Sequence, residues 1–585
     1  MRTTTRRALL AATTALAGGG LLAACSSDSD PRSGSPASSP GGHGGDAAPG
    51  DYVTPNDPAV AAAERRRRPG PAREVRLTAA RARLDLGGGV QVSSWAYDGH
   101  LPGREVRISA GETLALTLAN HLPQTTSTHW HGLALRNDMD GVPGLTQRAV
   151  RAGGSFAYRF AVPHPGTYWF HPHSGVQQDR GLYAPLIVED PREPLSYDRE
   201  WVVVLDDWVD GVQGSTPDAV LAELSSGMGH DAPGGDGTSA PTDHSGTDHG
   251  GTDHGGMDHG DMGGEASPSP GGGMDHGAHG AFATNPGPGA ASSGPARSGP
   301  PRMMMGATSR LLGGDAGDVA YPYYLANGRT AKDPRTFTAR PGDRVRIRLI
   351  NAGGDTAFRV ALGGHRMTVT HTDGFPVEHA RTDALLLGMG ERYDVLVTVG
   401  DGVFPLTAVA EGKRATALTV LRTGRGAAPA AGARPRELEG RLLTASDLRA
   451  AESVRLSPRA PDRTLRLRLT GSMARYDWAI NGRRYDPGHR EPVRAGERVR
   501  LSFVNDTTMW HPMHLHGHTF ALATRAGAGR RAAPGTGARK DTVIVLPGRR
   551  VEVDFDADNP GLWMLHCHNV YHAESGMMSV LGYRR

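Results

Sequence analysis

Ten histidines, one cysteine and one methionine fall into four tight groups: His129-Trp130-His131, His171-Pro172-His173, His511-Pro512-Met513-His514-Leu515-His516, and His566-Cys567-His568 followed by His572 and Met577. Successive side chains of an extended strand point to opposite faces. His129 and His131 therefore share a face, as do His171 and His173 and also His566 and His568, while Cys567 points the other way. One strand can then hold a metal in its own domain through the thiolate, while its flanking imidazoles reach a separate metal group across a domain boundary. The route between the two is covalent. One thiolate, two imidazoles (His511 and His572) and a weak axial thioether (Met577) form the ligand set of a blue, type 1 copper, whose use is one-electron exchange. The eight remaining imidazoles come with no carboxylate or thiolate and suit copper in both oxidation states. Zinc accounts for neither the Cys-His-Met set nor the paired imidazoles.

The elements that must position these groups repeat along the chain. Ala110-Gly111-Glu112-Thr113-Leu114-Ala115-Leu116-Thr117-Leu118-Ala119-Asn120 matches the stretch from Pro341 to Asn351 and again the stretch from Ala495 to Asn505. Each reads as a turn, an alternating strand and a closing asparagine. A second motif, Pro165-Gly166-Thr167-Tyr168-Trp169-Phe170-His171-Pro172-His173, recurs as Pro560-Gly561-Leu562-Trp563-Met564-Leu565-His566-Cys567-His568. The middle unit has only Gly402-Val403-Phe404-Pro405-Leu406 at that place and no histidine, so the chemistry belongs to units one and three and unit two reads as a spacer. Short strands and frequent turns, in a chain with 81 glycines and 42 prolines, predict an all-β protein of three Greek-key β-sandwiches.

The interval from Gly111 to Gly342 exceeds that from Gly342 to Gly496 by about the length of a Gly-, His-, Asp- and Met-rich tract, which is therefore an insertion into the second unit. The expected order is a signal at 1–25, a flexible tether at 26–72 that includes the solvated run Arg65 to Arg68, a first domain at 73–195, a second at 196–425 with the mobile insertion at about 211–301, and a third at 440–585. Arg6-Arg7 before a short apolar stretch reads as a twin-arginine export signal. Leu22-Ala23-Ala24-Cys25 looks like a lipobox that would leave a lipid on Cys25, the only expected link to a membrane. The other cysteine, Cys567, then has no disulfide partner. A formal charge of +3 with scattered arginines excludes a nucleic-acid partner.

The four histidine groups resemble the signatures of multicopper oxidases, over nearly all the chain from about residue 75; Leu205-Asp206-Asp207-Trp208 and Glu391-Arg392-Tyr393-Asp394 look like that family's phrases too. The resemblance implies three cupredoxin-like domains and four coppers per chain, one type 1, one type 2 and two type 3, with a trinuclear site between domains one and three. By motif position His129 and His514 would hold the type 2 copper. His131, His171 and His568 would hold one type 3 copper, and His173, His516 and His566 the other. The type 1 site takes His511, Cys567, His572 and Met577. The implied reaction takes single electrons at the type 1 copper and reduces dioxygen to water at the trinuclear site. Asp140 matches an acidic residue that supplies protons in the family; a second acid usually follows the equivalent of His572, but here Ala573 stands there and Glu574 comes next.

The likeness is to the copper-resistance and cuprous oxidase branch. Met228, Met257, Met262, Met274 and Met303 to Met305 offer soft thioethers for Cu(I), and His230, His244, His249, His254, His259, His276 and His279 suit Cu(II). Cu(I) is thus the expected electron donor. The alternative is laccase-like oxidation of phenols at an exposed type 1 histidine. A non-enzymatic copper-binding scaffold is a third reading, against which all twelve ligand positions are filled.

Overall fold

The computed structural model describes residues 49–227, 299–523 and 533–585. The export signal, Cys25 and most of the His/Met-rich tract lie outside them. Among the described residues no helix is long and apolar enough to cross a membrane.

The repeated motif builds the same nucleus three times. Gly111, Gly342 and Gly496 adopt φ of +94°, +89° and +88°, a left-handed turn that glycine enters without steric cost. The strands that follow are Thr113–His121, Arg344–Asn351 and Arg498–Asn505. Each runs parallel to an earlier strand (Ala72–Gly87, Arg199–Trp208 and Arg463–Thr470) and antiparallel to a later one (Ser155–Ala161, Arg392–Thr398 and Arg550–Asp556). The closing asparagine then pins the next turn to a backbone carbonyl thirty or more residues on. Asn120, Asn351 and Asn505 donate from Nδ2 to the carbonyls of Val150, Leu387 and Val545 at 2.8, 3.1 and 3.0 Å. Their Oδ1 atoms accept from Leu122, Gly353 and Thr507 N–H. Inward residues such as Leu116, Ile347 and Leu501 are buried, each worth about 1.5–3 kcal/mol.

Every unit closes as a two-sheet sandwich, with sheets of four and four, seven and six, and six and five strands. The metal-bearing strands lie in the second sheet of units one and three. His129–His131 pairs antiparallel with Gly166–His171, setting His129 opposite His171. His511–Leu515 pairs with Leu562–Cys567, setting His514 opposite His566 and Met513 opposite Cys567. Glycine stands at the start of both strands because neighbours crowd there: a Cβ on Gly166 would lie 2.5 Å from the Gly374 backbone, and one on Gly561 2.4 Å from the Asn137 side chain.

Three expected boundaries need correction. Much of the expected tether is built into the body: Asp57 caps a helix, Pro58–Arg66, whose Glu64 accepts from Ala161 N–H at 2.6 Å. Arg67, read as part of a solvated run, donates to Asn559 at 2.8 Å, and Val53 N–H bonds the Tyr583 carbonyl. This segment thus straps domain one to domain three. The first part of the expected insertion, 211–227, holds a second helix, Pro217–Ser225, capped by Thr216. Domain two also runs past 425, since Leu442–Leu443 joins its sheet beside Ala384–Leu387. Local composition concealed all three, because the ordering contacts are distant in sequence.

A buried ion cluster inside domain two is tied to domain one through the Thr167 hydroxyl. Asp394 takes Arg346 Nη2 at 2.6 Å, Arg348 Nη1 at 3.0 Å and Thr167 Oγ1 at 2.6 Å. Burial alone would raise this carboxyl, but Arg346 and Arg348 hold it well below the usual range. A depressed folded pKa gives stability that is present above the unfolded value, about 3.9, and is lost as pH falls through the folded value. Asp394→Asn should therefore cost roughly 3–5 kcal/mol near neutrality, and urea unfolding should show that cost shrinking only once pH drops below about 4. A pH-independent difference between variant and parent would remove the ion cluster as the cause.

Candidate metal centres

Two groups of imidazoles meet between domains one and three. The three sets His131/His171/His568, His173/His516/His566 and His129/His131/His514 each bring one ligand atom per residue within 4.8 Å of the others. All are buried except His173, which is half-buried. Burial first, then the neighbouring imidazoles, hold His131, His171, His173, His516, His566 and His568 well below the ordinary histidine pKa, so the rings are neutral, the form that binds metal.

Hydrogen bonds on the outer side decide which nitrogen faces inward. His129 Nδ1 is spent on the Asp140 carbonyl at 2.9 Å, His171 Nδ1 on the Pro172 carbonyl at 3.1 Å, His514 Nδ1 on the Asp541 carbonyl at 2.9 Å and His131 Nε2 on Asp541 Oδ1 at 3.0 Å. That leaves His129 Nε2, His171 Nε2, His514 Nε2 and His131 Nδ1 buried with no partner, together with both nitrogens of His568. His516 Nδ1 meets Asp140 Oδ2 at 2.9 Å and His566 Nδ1 meets the Cys567 carbonyl at 2.8 Å. Their bare Nε2 atoms then face each other at 3.1 Å. Buried polar atoms are almost always paired, and opposed lone pairs at that distance repel unless a cation lies between them. The residues present fit copper.

Cys567 makes the second centre. Its Sγ lies 3.7 Å from Nδ1 of both His511 and His572, which are 3.1 Å apart. Again the outer nitrogens are occupied: His511 Nε2 bonds Thr507 Oγ1 at 2.8 Å, and His572 Nε2 bonds Asp318 Oδ2 at 2.8 Å. Met577 is buried, and its carbonyl and N–H bond Cys567 N–H and the His572 carbonyl. Asn569 caps the short helix Val570–Ser575 that carries His572. Trp478 lies over the His572 ring, centroids 4.4 Å apart.

Of the two acids, Asp140 is at the cluster, bonded to His516 and 3.2 Å from His129 Nδ1. Glu574 is not: it is half-buried beside Asp218 near the Cys567 site, and burial followed by Asp218 pushes it up to about 7. Two more expectations change. His572 is fully buried rather than exposed, covered by Asp318 and Tyr476, whose hydroxyl also bonds Asp318 Oδ2 at 3.0 Å. Unit two is more than a spacer. Its Gly390 packs so close that a Cβ would lie 2.9 Å from His131 Cε1 and 3.0 Å from His568 Cδ2. Its Arg392 grips Asp541 with both Nη atoms at 2.8 and 2.7 Å. Sequence reasoning singled out the phrase around Arg392 but missed Asp541 and Asp318, lone carboxylates with no motif to mark them.

The multicopper oxidase family models match residues 78–193, 296–426 and 458–584. The chain is 44% identical over 507 residues to the multicopper oxidase MmcO of Mycobacterium tuberculosis, covering 87% of this chain and 86% of that protein. It is 27% identical to a copper resistance protein A homolog of Pseudomonas syringae pv. tomato, covering 86% and 91%. Among solved structures it resembles Fet3p, a multicopper oxidase that functions in iron import, with a TM-score of 0.65 at 20% identity, covering 88% and 90%.

Arg392→Met would leave the Asp541 carboxylate buried and unpaired behind His131 and His514. Copper affinity of the histidine cluster should fall about 10–100-fold, read as fewer coppers per chain after dialysis, while the blue absorbance expected of the Cys567 site persists. Full copper content in the variant would mean that Asp541 orients its histidines unaided.

Proposed function

The chain belongs to the multicopper oxidase family, and from that premise we propose that it holds four coppers, oxidises Cu(I) at the Cys567 site and reduces dioxygen to water at the histidine cluster. When bound, the coppers supply one-electron exchange at the first site and four-electron chemistry at the second. The protein supplies the path between them, because Cys567 is bonded through one backbone step each to His566 and His568. Asp140, which meets His516 Nδ1 through Oδ2 at 2.9 Å, is the acid for proton delivery.

Cu(I) is favoured as donor by what covers His572. Met304 N–H donates to the Asp318 carbonyl at 2.7 Å, and Met303 bridges Val319. The backbone of Met303 and Met304 is thus strapped to Val319 and to Asp318, the residue whose carboxylate bonds His572. Met305 is 63% exposed, the one large apolar side chain so placed among the described residues. Asp318 Oδ1 is buried and left without a hydrogen-bond partner. Soft thioethers on this segment suit Cu(I), whereas burial of His572 works against direct contact with a phenol. Twin-arginine export and lipid attachment at Cys25 complete the proposal and place the reaction outside the cytoplasm.

Purified protein should be blue and carry about four coppers, and Cys567→Ser should abolish the colour; a colourless copper-loaded chain would refute the site reading. Replacing Met303, Met304 and Met305 by Leu should lower kcat/KM for Cu(I) roughly tenfold, equivalent to about 1.4 kcal/mol of lost binding, with phenol oxidation unchanged. Equal losses on both donors, or none on Cu(I), would favour the laccase-like reading. Cys25→Ala should move the protein from the membrane to the soluble fraction, and unchanged fractionation would remove the anchor.

A further inference from the structure

One carboxylate holds both sides of the contact that covers the Cys567 site. Asp355, buried in domain two, accepts the backbone N–H groups of Asp318 and Val319 at its Oδ2, each at 2.9 Å. Its Oδ1 accepts Asn569 Nδ2 at 2.6 Å. The first arm fixes the turn that carries the Asp318 carboxylate. The second fixes the cap of the His572 helix, since Asn569 Oδ1 accepts Tyr571 and His572 N–H at 3.0 and 3.2 Å. Between the two arms His572 Nε2 and Asp318 Oδ2 meet at 2.8 Å.

Asp355 is held in turn. Lys413 Nζ donates to its Oδ2 at 2.7 Å and to its carbonyl at 2.9 Å, with both side chains shielded from solvent. Asp207 accepts Gly354 and Asp355 N–H at 2.7 and 3.1 Å. A buried carboxylate that keeps its counter-ion and fills both oxygens is a stiff bracket, because any movement would strand a buried charge. Neither Asp355 nor Lys413 touches a ligand of either centre.

We infer that Asp355, with Lys413 as its counter-ion, is a positioning residue that sets the His572–Asp318 hydrogen bond and through it the redox poise of the Cys567 site. This rests on the reading of that site as a type 1 copper centre. The physical link is the outer nitrogen of a ligand imidazole: a carboxylate bonded there makes the ring a stronger donor and favours the oxidised metal. Loosening the bracket weakens that bond and favours the reduced metal.

The test uses the copper-loaded full chain, with the blue absorbance read across a series of fixed redox-buffer ratios. Asp355→Asn should keep the blue band and the copper content but lower the oxidised-to-reduced ratio about tenfold, the order expected for one charge-assisted hydrogen bond. Asn569→Ser, which preserves a helix-capping side chain and changes no charge, should shift the ratio in the same direction; it decides the matter if Asp355→Asn does not fold. Asp318→Asn should shift it too, and the Asp355→Asn/Asp318→Asn double variant should shift it no further than Asp318→Asn alone. Unchanged ratios in both Asp355→Asn and Asn569→Ser, or shifts that add in the double variant, overturn the inference. A wild-type chain that binds copper without a blue band overturns the site reading beneath it.

Discussion

Neutral imidazoles whose lone pairs face one another in a buried interface repel, and most of the structure is arranged to hold them there. His516 and His566 present bare Nε2 atoms 3.1 Å apart. Each ring is kept in that orientation by a hydrogen bond on its far nitrogen, so the inward lone pair is the only one left for a metal. The folding energy that offsets this repulsion comes from three sandwich cores, which supply apolar burial that the sites themselves lack.

Because the histidine cluster spans two domains, its geometry is only as good as the docking between them. That docking is done with buried charge. Arg392 on Asp541 and Lys540 on Asp373 and Glu391 link domain two to domain three, and all five of these side chains are almost wholly shielded. Such pairs add little net stability over well-packed apolar groups, but breaking one is expensive. They therefore select one relative placement of the domains. Domain two, which carries no metal ligand, supplies the basic or acidic half of each of them.

The legible and the hidden parts of the sites divide along this line. Metal ligands were readable because strand geometry forces them into short motifs: His566, Cys567 and His568 must alternate faces, and His129 must sit two residues from His131. The repeated turn, strand and asparagine were readable because each is locally determined, and the fold class followed. Asp318, Asp541, Asp355 and Lys413 were not, since each acts on a partner more than twenty residues away and has no spacing rule to obey. The same blindness turned an ordered strap, Pro58–Arg66 and its flanks, into an expected tether, because Tyr52 and Val53 find their partners at the far end of the chain.

Asp318 also explains how a long low-complexity insertion can coexist with a well-defined entry to the Cys567 site. The chain leaves the described body at Gly227 and returns at Gly299. One side chain fastens the two ends: Glu223, on the helix before the gap, accepts Arg302 N–H at 2.8 Å and Met303 N–H at 2.9 Å. The departing end lies against domain three, where a Cβ on Gly227 would come 2.7 Å from the Ala474 carbonyl, two residues before Tyr476. Closing a loop between fixed ends costs only about 0.6 kcal/mol for each doubling of its length. Length and composition between 228 and 298 can therefore change with little effect on Asp318, while the backbone of Met303 and Met304 stays tied to Val319 and Asp318. The entry point is rigid because its anchors are Glu223, Asp355 and Tyr476 rather than the insertion.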